Sequence, residues 1–117
     1  MDVDLLYVTF PDRTSAMDLA HQMIQRGLAA CMNLHSIDSL YSWQGEMVEG
    51  KEYVAIFKTD RAHLAELRKA IEKGHPYEVP CLLSWRADAN ASYRNWILDC
   101  LAGVNLNPPA DEPEAMP

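Results

Sequence analysis

The chain lacks most of what would tie it to a familiar chemistry. It has no Cys-x-x-Cys pair, and its three cysteines, Cys31, Cys81 and Cys100, are odd in number and far apart. That arrangement leads us to expect reduced thiols in a cytoplasmic protein, not a disulfide framework or a structural zinc site. Basic residues are few, ten Lys and Arg against seventeen Asp and Glu, giving a net charge of −7 and a pI near 4.9. Nucleic acid and anionic membranes demand clustered positive charge, so neither is a default partner. No apolar run approaches the ~18 residues of a membrane span. The opening Met1-Asp2-Val3-Asp4 is acidic where a signal peptide has a basic region, so neither insertion nor export is expected. A Gly-rich phosphate loop, His-Glu-x-x-His and Gly-x-Ser-x-Gly are all missing, which removes several common signatures of catalysis. The protein is not expected to be an enzyme.

What is present is a well-punctuated alternation of strands and helices. With 117 residues, 49 % of them hydrophobic, there is room for one domain and a tail. Val3 to Phe10 is a β-rich apolar run that predicts a largely buried first strand. After Pro11, with Asp12 or Ser15 as cap, Ala16, Leu19, Ala20, Met23 and Ile24 recur at helical spacing, and Gly27 ends the helix. Leu28 to Trp43 reads as a second strand and Gln44-Gly45-Glu46 as a turn. Glu49-Gly50 reads as a further bend or bulge, and Glu52 to Thr59 as a third strand. The hairpin arms run to about ten residues or more, against a usual strand of about 5–6. Two helices cannot cover such arms, so Tyr41 and Trp43 need another surface and a homo-oligomer is expected. Asp60 caps a second helix with Leu64, Leu67 and Ile71 as its stripe, stopped at Gly74. Cys81 to Trp85 is a fourth strand, and Asp88 to Ser92 opens a last helix on which Tyr93, Trp96, Ile97 and Leu101 share a face. The fold class is therefore α+β, a ferredoxin-like βαββαβ sandwich with an extra C-terminal helix. Residues 1–103 form the domain, and 104–117, with four prolines and three acids but no basic residue, a disordered tail.

Between the second helix and the fourth strand lies His75-Pro76-Tyr77-Glu78-Val79-Pro80. Two prolines four apart hold this stretch stiff and drive His75 and Val79 towards extended backbone. It carries an imidazole, a phenol and a carboxylate within four positions, the kind of rigid loop on which binding sites are built. A packed connector is the competing reading.

Leu28-Ala29-Ala30-Cys31-Met32-Asn33, Tyr41-x-Trp43-x-Gly45-Glu46, Lys58-Thr59, His75-Pro76-Tyr77-Glu78-Val79-Pro80 and Tyr93-x-x-Trp96 together resemble the CutA divalent-ion tolerance proteins, from about Leu5 to Leu101. The resemblance implies a tight homotrimer whose long hairpin arms meet between subunits, an architecture akin to PII-type signalling proteins, and a link to copper and other divalent-metal tolerance. The chain departs from the family pattern in three places. Cys81 stands where an acidic residue usually follows the second proline, and Ser84-Trp85-Arg86-Ala87 replaces a Leu-Pro-Val-like segment. Val8 and Gly74-His75 occupy the positions of a Cys and a His-His pair credited with copper in some bacterial members, so only His75 remains.

Copper(II) favours imidazole and oxygen ligands, and copper(I) thiolates. His75, Glu78 and Cys81 make a partial metal set to be completed by a neighbouring subunit, unless Glu78 simply pairs with Lys58 or caps a turn. Trp43, Glu46, Lys58, Tyr77 and Glu78 are placed around an intersubunit cleft, either as a small-ligand site or as interface anchors. Cys31 is expected to be inert core and Cys100 structural, with His21, His35 and His63 solvated or hydrogen-bonded. Three functions follow as expectations. The first is metal binding without turnover, and the second a PII-like sensor of a small metabolite that signals to a protein partner. The third is a structural trimer that stabilises a membrane partner through its acidic tail.

Overall fold

Asp12 and Asp60 start the two main helices in the same way. Each sits in extended backbone and its carboxylate accepts a backbone N–H three residues on, from Ser15 and from His63. A computed structural model describes residues 2–103, and there the element order is β1 (Asp2–Phe10), α1 (Arg13–Gln25), β2 (Cys31–Trp43), β3 (Glu46–Thr59), α2 (Arg61–Gly74), β4 (Leu82–Asp88) and α3 (Ala91–Leu101). The expected tail lies outside the described residues. All strand pairs are antiparallel and the sheet runs β2-β3-β1-β4. The class is α+β, as the alternating pattern implied.

Two helices share one face of this sheet. Leu6, Val8 and Phe10 of β1 with Ala55 and Phe57 of β3 meet Ala16, Leu19, Ala20 and Met23 of α1 and Leu64, Leu67 and Ile71 of α2 in the main core. Most of these side chains are fully buried. At the edge of that face the carboxylate of Asp4, 1 % exposed, lies 3.1 Å from Arg61 and 3.6 Å from Arg86, tying β1 to α2 and β4. On the opposite face α3 covers one end. Ile97 and Leu101 pack on Val3 and Ala30, with Leu5, Cys31, Tyr93 and Trp96 around them. The middle of this second face stays open, with Leu83 and Trp85 of β4 exposed.

The hairpin is longer and more regular than its sequence suggested. Pairing runs unbroken from Cys31 opposite Lys58 to Trp43 opposite Glu46, and Gly50 faces Ser39 with no bulge. Gly50 simply continues the strand, since a full ladder on both sides leaves no residue to spare. The turn is two residues, Gln44 and Gly45, both at positive φ (51° and 81°), the twist-matched type I′ pattern. β4 extends three residues past Trp85 because β1 supplies partners as far as Asp2, opposite Asp88. The last helix therefore starts at Ala91, with Asn90 at the N-cap position making no side-chain bond to the helix backbone.

Gly74 closes α2 for a different reason from the one its sequence context suggested. It is the last helical residue, and a Cβ there would stand 3.0 Å from Leu19 Cδ1, so the glycine permits close approach of α2 to α1. His75 then takes extended backbone (φ −76°, ψ 139°), as a residue before proline must.

Candidate functional site

Strand parity places one group of residues together. Thr9 lies opposite Val54, and Glu52 two residues away shares its face. Ile37 opposite Glu52 carries that face on to Tyr41 and Trp43. The stiff segment from His75 to Cys81 passes beside these residues on its way to β4. Between them is a cavity of about 300 Å³, to which the sheet contributes Thr9, Tyr41, Trp43 and Glu52. Tyr77, Glu78, Val79 and Cys81 close the other side.

The loop is held by its histidine. The Tyr77 N–H donates to His75 Nδ1 at 3.0 Å, which places the ring proton on Nε2, and Nε2–H donates to the Thr9 carbonyl at 2.7 Å. Phe10 stacks on the same imidazole, with centroids 4.7 Å apart, and Tyr77 tilts against it at 4.9 Å. Burial pushes the imidazole pKa below its ordinary 6.5, opposed by the Thr9 bond and the Glu52 carboxylate. Both nitrogens are thus engaged by the chain's own backbone. A metal ion at His75 would first have to displace one of these partners.

Tyr77 in turn donates from Oη to Glu52 Oε2 at 2.7 Å, bridging loop and hairpin. Burial, then that hydrogen bond, raises its pKa, so the phenol stays protonated. The Cys81 thiol is also pushed up, by burial first and by the Glu52 carboxylate second. A nucleophilic cysteine needs a depressed pKa and a free base. Cys81 has a raised one, and His75 has no lone pair to offer.

Of the residues expected around a cleft, Trp43, Tyr77 and Glu78 line this cavity, and Cys81 joins them. Glu46 and Lys58 do not. Glu46 sits opposite Trp43 at the turn. Lys58 lies six positions along β3 from Glu52, about 20 Å at strand rise, where Nζ donates to Tyr93 Oη at 3.0 Å under α3. It is therefore not paired with Glu78. Cys31 is half-buried, its Sγ 3.4 Å from the same phenol oxygen. Residue reading missed Glu52 and Thr9, whose parity relation to Trp43 becomes visible only once the register is known. Among the described residues no three His, Cys, Asp or Glu side chains are grouped as a metal-holding set. His75, Glu78 and Cys81 therefore do not form one within a single chain.

A family model described as "CutA1 divalent ion tolerance protein" matches residues 4–100. The chain belongs to the CutA family. It is 38 % identical to the divalent-cation tolerance protein CutA of Thermococcus kodakarensis over 104 residues, 88 % of this chain and all of that one. The CutA protein of Thermotoga maritima is 37 % identical over 80 % of this chain and 93 % of its own length. Among solved structures, CutA from Synechococcus elongatus superposes with a TM-score of 0.82 at 34 % identity, covering 86 % of this chain and 90 % of that one. Among the described residues no helix is long and apolar enough to cross a membrane.

Proposed function

We propose that this CutA-family chain serves in divalent-cation tolerance as a homotrimer of ferredoxin-like subunits that engages metal ions, copper among them, by binding without turnover. The observation that carries the assembly is the apolar surface of the hairpin. Leu40 and Met47 are both exposed, at 68 and 73 %. Large apolar residues grouped on one projecting element are surface awaiting a partner, and burying each is worth about 1.5–3 kcal/mol. A second copy supplies the same self-complementary surface without a further gene product.

In that assembly the metal reading rests on Glu78 and Cys81, whose side chains have no hydrogen-bond partner among the described residues, together with groups of a neighbouring subunit; His75 contributes only if it releases the backbone. The three free thiols suit a reducing compartment, and we place the protein in the cytoplasm. Copper(II) titrated into the wild type and into Glu78→Gln and Cys81→Ser should give heat that shrinks in both variants. Equal heat in all three proteins, or none in any, contradicts metal engagement at this rim.

A second reading is favoured by the cavity itself, whose 300 Å³ falls at the lower end of the range of small-molecule sites. On that reading the protein is a PII-like sensor whose clefts take a small ligand and pass the signal to a protein partner. A thermal-shift screen tests it, because a ligand of the native state raises the melting temperature. A screen spanning cations, anions and neutral metabolites that yields no shift contradicts it.

A further inference from the structure

The cavity lining has a definite sign. Three aromatic rings, Tyr41, Trp43 and Tyr77, stand around two carboxylates, Glu52 and Glu78, and among the described residues the lining contains no Lys, Arg or His side chain. One oxygen of Glu52 is occupied by the Tyr77 hydroxyl, leaving the other free. Aromatic faces carry negative potential, and a cation within about 6 Å of a ring centroid is attracted to it, most strongly by Trp. The carboxylates add to that field, whereas anionic metabolites require positive groups or convergent backbone N–H donors. We propose that the pocket between the hairpin and the His75–Cys81 segment is a binding site for a small organic ammonium ion, caged by Tyr41, Trp43 and Tyr77 and neutralised by Glu52 and Glu78.

The chemistry separates this ligand from both a metal ion and a nucleotide. A divalent metal ion takes three or more convergent donor atoms and, where ligands are few, keeps much of its water; the carboxylates and thiol of one chain are not grouped as such a set among the described residues, and ring faces add no donor. An alkylated ammonium is weakly hydrated, fits a space of this size and makes its contacts through methyl or methylene groups that rings accommodate. The bridge from Tyr77 to Glu52 fixes one ring and one carboxylate before any ligand arrives, so little ordering remains to be done on binding. Trp43 places an optical reporter in the wall.

The inference rests on the small-ligand reading of the cavity, and the test distinguishes the two. The full-length protein is titrated by calorimetry and by tryptophan fluorescence with choline and putrescine. The neutral carbon isostere of choline, 3,3-dimethylbutan-1-ol, and an anion, citrate, are titrated alongside. At least one cation should bind about tenfold or more tightly than the neutral isostere, citrate should not bind, and Trp43→Leu should abolish the fluorescence change. Glu78→Gln should weaken cation binding several-fold; Glu78 has no partner to lose among the described residues, so their fold is undisturbed. Equal binding of the isostere, or binding of citrate lost in Trp43→Leu, overturns the ammonium assignment while leaving a small-ligand site standing. Absence of binding by every probe overturns both.

Discussion

At the scale of single residues, His75 governs the site through its backbone partners. It joins Thr9 at the end of β1 to Tyr77 in the connecting segment and stacks on Phe10. His75→Ala should therefore cost about 1–3 kcal/mol of stability, the range for a buried hydrogen-bonded group left unpaired together with a lost ring contact, read as a drop in urea midpoint. The same variant should leave the copper(II) heat unchanged, because both imidazole nitrogens are already engaged. The histidine also gives stability a pH dependence of known sign. Its pKa is lower in the folded state than the ordinary 6.5, so below about 6.5 the unfolded chain binds the proton first. Stability contributed by neutral His75 is full above that pH and is lost as pH falls through it towards the folded-state pKa. The urea midpoint of the wild type should consequently fall more between pH 7.5 and 5.5 than that of His75→Gln. A parallel fall in the two proteins would mean that the imidazole does not report on folding.

At the scale of elements, the hairpin turn is a two-residue device with a suboptimal first residue. Gln44 holds φ of 51° without the local side-chain bonding that lets Asn adopt it cheaply. Gln44→Asn should raise the melting temperature by a degree or more, and Gly45→Val should destabilise by about 1–2 kcal/mol, the cost of a left-handed non-glycine residue; thermal melts of both variants decide it. The elements also show what could be read without coordinates. Caps at Asp12 and Asp60, the helical stripes and the stop before Pro76 were legible because each is a local signal of sequence within one turn. The length of β3 and β4 was not, since a strand ends where its neighbour stops offering partners, and Gly50 looked like a bend until Ser39 was found opposite it. The candidate site was half legible for the same reason. Tyr77, Glu78 and Cys81 lie within one short segment, whereas Glu52 enters from a strand whose register fixes which side chains it joins. Lys58 shares the strand and face of Glu52 but stands six positions along it, a distance from the cavity that the sequence does not display.

At the scale of the whole molecule, the described residues extend 51 × 31 × 24 Å, and the long dimension projects apolar surface that one chain leaves uncovered. Leu40 and Met47 lie on the face that carries α1 and α2 near the strand origin, but beyond the reach of either helix; Tyr41 and Trp43 lie on the other face. Association through Leu40 and Met47 would enclose their face of the tip and leave the cavity on the other. Light scattering at micromolar concentration should give about three times the 13.2 kDa chain mass. Leu40→Asp combined with Met47→Glu should reduce that mass, with far-ultraviolet circular dichroism retained. A wild-type mass near one chain would refute the trimer.

The unbroken ladder from Cys31 to Trp43 has a further consequence, for how the gene can change. Tyr41 and Trp43 face the cavity only because an even number of positions separates them from Ile37, opposite Glu52. Removing one codon between Leu34 and Leu40 would, with Cys31 to Leu34 holding their register against β3, rotate both rings to the opposite side of the sheet and empty the aromatic wall without touching any residue in it. Removing two would return them. Length variation in this arm is thus tolerated in steps of two, and a search for the pocket's wall in a lengthened or shortened relative should count positions from the strand opposite, not look for the nearest tryptophan.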